Sequence, residues 1–327
     1  MTRVRAVACS NIALAKYWGK ASVAENLPAT PSLSLTLAGL RSFTEVDFDA
    51  SLTADEAELD GAVLKARPLA RVVELLDRVR ARANLAMRAR VVSRNDFPTA
   101  AGLASSASGF AALALAATRA AGLDLSLEEL SDLARASSAS AARSLFGGYA
   151  ALPAGAHRAE RVAPGDHFPL AMVVTLTTKG PKAIGSTQGM QHTAATSPYY
   201  APWVDHAPKL YEEVRRAVLE GDIERLGVAM EHSALMMHAS MLAASPAVIY
   251  LQPTTLAVMA KVRELRSQGT PAFYTMDAGP HVKVLTLDEH AARVAASVGE
   301  VPGVERTIIS GPGPDAAITD QDPRSVA

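Results

Sequence analysis

The chain is poor in several features that mark whole classes of protein. It holds one cysteine, Cys9, among 327 residues, which excludes an intrachain disulfide and a multi-cysteine metal site. Lys plus Arg total 32 and Asp plus Glu total 33, so the charge balance gives no reason to expect nucleic acid. No apolar stretch is long enough to span a bilayer, and the basic start is interrupted by Asn11 and Lys16. We therefore expect a cytoplasmic protein with no secretion signal, no membrane partner and no nucleic-acid partner.

Both strand and helix patterns are present, and 49% hydrophobic content is enough for a sizeable core. "SLSLTL" and "SFTEVDFD" alternate as strands do, and "AELDGAVLKA" is typical of a hairpin that turns at Asp60-Gly61. "LARVVELLDRVRARA" has helical spacing, and Ser126 with Glu129 predicts a capping box before "LEELSDLARAS". "AMRARVVS", "SLFGGYAAL" and "FPLAMVVTL" are predicted as strands.

The second half of the chain is richer in helix. Two amphipathic stretches, "EEVRRAVLEGDIERLGVAMEHSALMMHASML" and "TTLAVMAKVRELRSQG", precede two predicted strands, "AFYTMD" and "HVKVLTL". The whole pattern predicts an α+β protein of two closely packed halves. We expect the boundary between them near residues 155–168, around Pro153 and Pro164.

One loop has the composition of an anion site. "NDFPTAAGLASSASG", residues 95–109, places small residues directly before an alanine-rich helical run. A helix start offers backbone N–H groups and a positive dipole end, while glycine and serine permit close approach to a phosphate. The loop lacks both the Lys-Ser/Thr ending of a Walker loop and G-x-G-x-x-G spacing. From the residues alone, a phosphate site and a tight helix-packing turn both remain open.

Four blocks in order carry a family resemblance. They are "NIALAKYWGK", "FPTAAGLASSASG", "SSASAARSLFGGY" and "FYTMDAGPHVKVL". Together they resemble the mevalonate diphosphate decarboxylases, a branch of the galactokinase, homoserine kinase, mevalonate kinase and phosphomevalonate kinase (GHMP) superfamily. "KYWGK" and "MDAGP" with "VKVL" are typical of the decarboxylase branch, whereas the Gly/Ser loop is shared by the superfamily. The resemblance implies a GHMP-kinase-type two-domain α+β fold with a cleft between its halves. An N-terminal β/α domain, residues 1–165, would carry the phosphate-binding loop, and a C-terminal helix/strand domain, residues 166–327, the catalytic aspartate.

The resemblance also implies a reaction, which belongs to isoprenoid biosynthesis. ATP phosphorylates the tertiary 3-hydroxyl of mevalonate 5-diphosphate, and loss of that phosphate with carbon dioxide gives isopentenyl diphosphate. Phosphorylation is needed because a hydroxyl is a poor leaving group. The family implies ATP and Mg²⁺ as cofactors, the metal bridging the ATP phosphates, and it implies a homodimer.

The reacting centre implied by the resemblance contains Asp277 and Lys16. Asp277 would orient the 3-hydroxyl and accept its proton, with Lys16 beside it. It follows a predicted strand and precedes Ala-Gly-Pro, where the chain turns sharply and can present a side chain. Without the resemblance, Asp277 is as readily explained as the cap of that turn.

Tyr17 and Lys20 are the expected ligands of the 5-diphosphate. In an extended strand Lys16, Trp18 and Lys20 would share one face, so only a bend lets Tyr17 and Lys20 reach one ligand. Lysine suits a phosphate because its ammonium is a compact charge. The alternative places Tyr17 and Trp18 in the core and the lysines in solvent. Aromatic residues form only 5% of the chain, which argues against a chance Tyr-Trp pair between lysines.

The Gly/Ser loop is expected to hold the ATP phosphates, with Ser105 and Ser106 as the nearest hydroxyls and Ser106 as a contact to Mg²⁺. The residues implied for ATP binding are Pro98, Ala101, Gly102, Leu103, Ala104, Ser105, Ser106 and Ser108.

Arg143 is the expected partner of the substrate carboxylate, because a guanidinium matches a carboxylate with two parallel hydrogen bonds. Ser138 and Ser140 stand where the family's serines contact substrate. Ser186, in "IGSTQGM", is expected to contact the substrate diphosphate, or alternatively to be a helix N-cap.

The chain departs from the family in three places. Ala139 replaces a usual glycine and Ala142 a common cysteine, and neither change removes a polar contact. After "ENLP" the family usually has Thr-Asn-Ser-Ser, where this chain has residues 29–32, "ATPS". That change stiffens the loop and removes an amide, so it bears on substrate identity. The alternatives are a decarboxylase of mevalonate 5-phosphate, a kinase that stops after 3-phosphorylation, and a binding protein without catalysis.

Overall fold

The computed structural model describes residues 3–98, 105–177 and 184–326. Within these ranges the strands are β1 (Val4–Ala15), β2 (Lys20–Ser22), β3 (Leu27–Pro28), β4 (Ser32–Asp49), β5 (Glu56–Leu59), β6 (Ala62–Val63), β7 (Arg88–Asn95), β8 (Tyr149–Leu152), β9 (Glu160–Ala163), β10 (Leu170–Leu176), β11 (Ala272–Met276), β12 (Val282–Leu287), β13 (Arg306–Ser310) and β14 (Ala317–Ile318). The α-helices are α1 (Ala66–Ala83), α2 (Ser105–Ala120), α3 (Leu127–Ser137), α4 (Ser186–Thr196), α5 (Tyr200–Glu220), α6 (Ile223–Leu242), α7 (Pro253–Ser267) and α8 (Ala291–Gly299).

The larger sheet is built around the long strand β4. Its order is β14-β1-β4-β7-β5-β6, and β8 pairs with β4 and carries β9 on its other side. β4 pairs with β7 along its second half and with β8 along its first, so one strand spans both parts of the sheet. The pairings are antiparallel except for β5 with β7. β14 comes from far downstream and pairs with β1.

One face of this sheet is covered by α1, α2 and α3, which share an apolar cluster with it. α2 is alanine-rich and buried around most of its circumference, which is the pattern of a central helix. Its first residue, Ser105, lies next to the cleft described below. Packing against the sheet therefore fixes the first turn of α2, a position where backbone N–H groups have no partner within the helix.

The smaller sheet, β11-β12-β10-β13, is antiparallel. α7 and α8 pack on one face with residues such as Val284 and Val298. The other face shares a cluster with α5, α6 and β1, in which Phe273 and Leu285 meet Ile12 and Leu14. The ends of β1 and β11 are consequently brought together where the two halves of the chain meet.

Most predicted elements are confirmed. The hairpin turns at Asp60 and Gly61, which have φ of 50° and 85°, and Ser126 with Glu129 forms the capping box. Two stretches differ. "SLSLTL" and "SFTEVDFD" are one continuous strand, β4, and the first part of "SLFGGYAAL" belongs to a 3-10 turn at Ala139–Leu145. Side-chain bonds of Arg143 hold that turn, so tertiary contacts override the local strand propensity.

Within the described ranges, none of the helices combines the length and apolar character that crossing a bilayer requires.

Candidate active site

A cleft of about 830 Å³ lies where the two halves meet. This volume is within the range of small-molecule sites. The structure brings all eight predicted catalytic and substrate-binding residues to its wall, namely Lys16, Tyr17, Lys20, Ser138, Ser140, Arg143, Ser186 and Asp277, together with Ser106.

Asp277 and Lys16 form an ion pair across the junction of the halves. Asp277 follows β11, and Lys16 follows β1. Lys16 Nζ donates to Asp277 Oδ1 at 2.7 Å and to the Ala13 carbonyl at 2.8 Å, and the Lys16 backbone N–H donates to Ser233 Oγ of α6 at 2.9 Å. The lysine is thus fixed at both ends. The Asp277 carboxylate is thus held in an ion pair beside the turn after β11.

A second lysine reaches the same carboxylate. Lys283 Nζ of β12 lies 3.2 Å from Asp277 Oδ2. Burial alone raises the pKa of Asp277, but the charges of Lys16 and Lys283 outweigh it and hold that pKa well below its usual range. Burial lowers the pKa of Lys16 to about 8, although Asp277 opposes the shift. Asp277 is therefore anionic at neutral pH.

Arg143 is buried and bonded to neutral groups. Its side chain donates to Ser34 Oγ at 2.9 Å, to Ser32 Oγ at 2.6 Å and to Asn11 Oδ1 at 3.4 Å. Among the described residues no carboxylate forms an ion pair with it. Burial lowers the pKa of Arg143 to about 10, which still leaves the guanidinium charged at neutral pH. A buried cation without a protein carboxylate is strongly favourable for an anionic ligand.

Asn11 organises the turn that carries Arg143. Its Nδ2 donates to the Ser140 carbonyl at 3.0 Å and to Ser144 Oγ at 2.7 Å. The hydroxyls of Ser138 and Ser140 are 3.2 Å apart at the cleft wall. The polar side chains of this turn are consequently held in place from within the larger sheet.

The bend required by the "KYWGK" stretch is present. β1 ends at Ala15, β2 begins at Lys20, and Gly19 between them has φ of 114°, a conformation that favours glycine. A side chain at Gly19 would also collide with the ring of Tyr200. Tyr17 and Lys20 both reach the cleft as predicted, and Trp18 also lines it although it is almost fully buried.

Lys20 lies in a cationic lobe of the cleft, together with Arg67 and Arg71 of α1. Burial and the charges of Arg71 and Arg67 lower the pKa of Lys20. Arg71 donates to the Ser137 carbonyl at 2.8 Å, and its guanidinium carbon lies 4.5 Å from the centre of the Phe110 ring. Glu74 of α1 also lines the wall near Arg71, so the three cations leave the lobe with a net positive charge, which favours a multiply charged anion.

Ser186 is the first residue of α4, and Gly185 is the N-cap residue. The alternative that Ser186 is the N-cap is therefore wrong, and its side chain faces the cleft instead. α4 reaches this position because Gly189 packs against Trp18: a Cβ there would lie 3.1 Å from the indole ring.

The predicted phosphate loop is described only in part. Ala101, Gly102, Leu103 and Ala104 lie outside the described residues. Pro98 is exposed and is not part of the cleft wall described here.

At the helix start, the hydroxyl-bearing residues separate into two groups. Ser105 and Ser106 of α2 line a smaller cavity of about 170 Å³ beside the main cleft, and Ser106 lines both. Ser108 is not brought to the cleft: it is fully buried, and its hydroxyl bonds to Ser42 Oγ at 2.7 Å. Ser106, at the cavity, and Ser108, in the core, are only two residues apart on α2.

Two family models match this chain along most of its length. Residues 8–163 match the model of the diphosphomevalonate decarboxylase-like N-terminal domain, and residues 172–310 match that of the mevalonate 5-diphosphate decarboxylase C-terminal domain. The diphosphomevalonate decarboxylase of Candida albicans is 35% identical over 317 residues, which cover 90% of this chain and 88% of that protein. The chain belongs to the mevalonate diphosphate decarboxylase family.

Two further relatives bear on which mevalonate ester a protein of this family uses. A solved structure described as MDDEF in complex with MVAPP, AMPPCP and magnesium superposes with a TM-score of 0.91 at 40% identity, covering 98% of this chain and 99% of that one. The phosphomevalonate decarboxylase of Haloferax volcanii is 32% identical, covering 94% of this chain and 95% of that protein. The predicted α+β, two-domain fold of the GHMP kinase type is confirmed by the structural matches.

Two hydroxyls at the departure from the family, residues 29–32, make hydrogen bonds beside the cleft. Ser32 accepts the bond from Arg143, and the hydroxyl of Thr30 accepts from the Trp18 backbone N–H at 3.4 Å. Ala139 and Ala142 are buried in the apolar cluster under the Arg143 turn.

Four residues of the site were not predicted: Asn11, Arg67, Arg71 and Lys283. Lys283 stands inside the quoted block "VKVL", where a charged residue between valines in a strand is a usable signal. Arg67 and Arg71 lie on a helix that contains five arginines, so no sequence pattern distinguishes them.

Proposed function

We propose that this chain catalyses the ATP-dependent decarboxylation of mevalonate 5-diphosphate to isopentenyl diphosphate. ATP transfers its γ-phosphoryl group to the 3-hydroxyl; the C3–O bond then breaks as phosphate leaves, and the electrons of the C1–C2 bond form the alkene as carbon dioxide departs. The products are ADP, phosphate, carbon dioxide and isopentenyl diphosphate. The observation that carries the proposal is Arg143, a buried guanidinium bonded to neutral groups in the cleft that also holds Asp277.

Arg143 would bind the carboxylate that is lost, because a guanidinium without a protein carboxylate pairs readily with that of a ligand. This pairing also fixes where the substrate's carboxylate end lies in the cleft. As carbon dioxide forms, the negative charge leaves the carboxylate, so Arg143 serves mainly to position the ground state rather than to stabilise the product.

Asp277 would accept a hydrogen bond from the 3-hydroxyl and orient its oxygen toward ATP. Its depressed pKa makes it a weak base, so orientation of the hydroxyl is its main contribution. The hydroxyl proton passes to the Asp277 carboxylate late, as the new P–O bond forms and makes the oxygen acidic. Lys16 has three donors, two of which bond to Ala13 and Asp277. The third would stabilise the negative charge on the transferred phosphate.

The 5-diphosphate would occupy the cationic lobe. Tyr17, Lys20 and Ser186 are the predicted ligands, and Arg67 and Arg71 add two charges that favour a diphosphate over a monophosphate. Ser138 and Ser140 would contact the middle of the substrate from the Arg143 turn.

ATP would lie over the start of α2, with phosphates near Ser105 and Ser106 and the base in the smaller, mainly apolar cavity. Ser106, exposed at the first turn of α2 and lining the cleft, offers a hydroxyl to Mg²⁺. When bound, Mg²⁺ would neutralise charge on the polyphosphate.

The test is one assay that follows ADP and carbon dioxide together, with either mevalonate 5-diphosphate or mevalonate 5-phosphate. We expect equal amounts of both products, with the diphosphate preferred. ADP without carbon dioxide would mean a 3-kinase, and neither product with either ester would mean a binding protein. Preference for the monophosphate would support the second candidate, phosphomevalonate decarboxylase, which the Haloferax relative favours.

Three broader expectations stay proposals. We propose that the domains divide at residues 165 and 166, and that the chain acts in the cytoplasm. We also propose a homodimer formed through α6, where Val228, Leu235 and Leu242 are exposed at seven-residue spacing on one side of the helix. Sedimentation of wild type against Leu235→Glu tests the dimer: a wild-type monomer would contradict it.

A further inference from the structure

Lys283 is a buried cation that the proposed reaction does not yet use. It lies in β12, an inner strand of the smaller sheet, and its side chain is 0% exposed. Its register neighbours are Val174 on β10 and Thr275 on β11. Burying a lysine among such neighbours is unfavourable unless its charge is paired.

The strand's alternation directs this ammonium toward the active site. Val282 and Val284 pack with α7 and α8, so Lys283 and Leu285 face the opposite side, toward β1 and α6. Lys283 Nζ there lies 3.2 Å from Asp277 Oδ2 and forms an ion pair with the carboxylate.

Lys283 contacts the carboxylate from behind. Asp277 Oδ2 is closed off from solvent, although the Asp277 side chain as a whole is 25% exposed. The cleft wall in the described part of the chain includes Asp277 and Lys16 but not Lys283. Lys283 therefore reaches the inner oxygen, while Oδ1 bonds to Lys16 at the cleft.

We infer that Lys283 is a positioning residue for the proposed reaction: it holds the inner oxygen of Asp277 so that the outer edge of the carboxylate meets the 3-hydroxyl. The inference rests on the proposed function. One lysine on each oxygen fixes the plane of the carboxylate, which a single lysine would leave free to rotate. Stability alone is a poor explanation, because apolar residues often replace a buried ion pair without loss.

The charges around the pair determine the pH dependence. Asp277 is faced by Lys16 after β1, Lys283 on β12, Arg143 in the 3-10 turn and His238 on α6. Burial lowers the pKa of His238 to about 4, so it is neutral at pH 7. Loss of the Lys283 charge should raise the pKa values of both Asp277 and Lys16, because Lys283 lowers each of them.

The test compares Lys283→Met with Thr275→Val, a neighbouring buried substitution that leaves every charge in place. Lys283→Met should lower kcat roughly 100-fold through misplacement of the carboxylate. KM for both substrates should stay within about threefold. The acid limb of the kcat profile should move to higher pH, since Asp277 is protonated sooner, and the alkaline limb should also move to higher pH, since Lys16 keeps its proton longer. Thr275→Val should move neither limb.

A double variant tests whether Lys283 acts through Asp277. In an Asp277→Asn background, Lys283→Met should change kcat less than about twofold, because the carboxylate that it positions is absent. A further loss of tenfold or more there would overturn the inference. So would unchanged kcat and unchanged limbs in the single variant.

Lys283→Arg covers the case in which the methionine variant does not fold. It keeps the charge but alters its position, so the limbs should stay while kcat falls; wild-type kcat would contradict a positioning role. If wild type releases no carbon dioxide from either ester, the proposed function fails. If wild type is active and only these comparisons fail, the role of Lys283 alone is rejected.

Discussion

Arg80 and Arg143 are both buried arginines, and their surroundings differ in one respect. Arg80 donates to both oxygens of Asp55, at 2.9 and 2.8 Å, and also pairs with Asp77. Arg143 bonds to Ser32, Ser34 and Asn11. The pKa of Arg80 is raised because its carboxylate partners outweigh burial, whereas burial lowers the pKa of Arg143 to about 10. The first arginine is paired with carboxylates of the protein, whereas the second forms no ion pair among the described residues and is influenced by Asp277 only at longer range.

The same contrast extends to the neighbours of Arg143. Lys16, Lys283 and Arg143 surround one carboxylate, Asp277, in the cleft. If these cations served only stability, we would expect carboxylates to pair with each of them, as Asp55 and Asp77 pair with Arg80. The excess of positive charge therefore favours a negatively charged ligand in this region.

The largest expected effect comes from Asp277→Asn, which removes the carboxylate but keeps its shape. Carbon dioxide release should fall at least about 1,000-fold, because orientation of the hydroxyl is lost, while ATP binding stays nearly unchanged. The measurement is product release together with nucleotide affinity by calorimetry.

Asp55→Asn is the matched control for that variant, because it breaks the balanced pair. It should lower stability by about 3–5 kcal/mol and leave kcat per folded molecule unchanged. Retention of activity within about tenfold in Asp277→Asn would remove Asp277 from its catalytic role.

Arg143→Met and Arg80→Met compare the two arginines directly. Arg143→Met should raise KM for the mevalonate ester roughly 100-fold, because the substrate carboxylate loses its buried partner. Its free energy of unfolding should fall by only about 1–2 kcal/mol, because the bonds to Ser32 and Ser34 are lost but no ion pair is broken. Arg80→Met should do the reverse, with a loss of about 3–5 kcal/mol and an unchanged KM. Urea unfolding and initial rates measure both, and equal stability losses would break the distinction between the sites.

Lys20→Ala tests the excess charge of the cationic lobe. A charged contact to a partly buried phosphate contributes about 1.5–3 kcal/mol, so the apparent affinity for mevalonate 5-diphosphate should fall roughly 10- to 150-fold. The loss for mevalonate 5-phosphate should be much smaller. Lys65→Ala, which removes the same charge from an exposed position, should change neither. If the ratio between the two esters does not change, Lys20 does not select the diphosphate.

The smallest effect is expected at α2, where Ser106 lines the cleft and Ser108 is bonded to Ser42 in the core. Ser106→Ala should weaken productive ATP use about tenfold, because its hydroxyl faces the cleft. Ser108→Ala should leave KM for ATP unchanged and lower stability by about 1 kcal/mol, because Ser42 loses its bond to Ser108 and keeps the one to Asn95. If Ser106→Ala changes neither affinity nor turnover, the loop before α2 is a packing turn.

Several features of the fold were predictable because their causes are local. The hairpin at Asp60-Gly61 and the capping box at Ser126 depend on a few neighbouring residues. The 3-10 turn at Ala139–Leu145 was not predictable, because its bonds reach Ser32, Ser34 and Asn11 more than 100 residues away. Ser108 was misplaced for a related reason: only the packing of α2 decides which serine faces the core.

The resemblance located the candidate site more fully than the residues alone could. Asp277, Lys16 and Arg143 meet in the cleft as it implies. The balance of charge at the cleft was not predictable. "VKVL" does not reveal that Lys283 pairs with Asp277, and the four-residue spacing of Arg67 and Arg71 is common on helix surfaces. These properties arise from three-dimensional juxtaposition.

The pairing of β14 with β1 has a consequence for synthesis of the chain. β1 is made among the first residues, but its outer edge is covered only when residues 317–318 emerge. Arg5 bonds to Asp322, and Glu45 to Arg324, in the same late-arriving segment. During translation the edge of the larger sheet at β1 therefore stays unpaired until these residues are made. Unpaired strand edges are surfaces that pair with other chains. A nascent chain stalled before residue 317 should need chaperone protection that the finished protein does not.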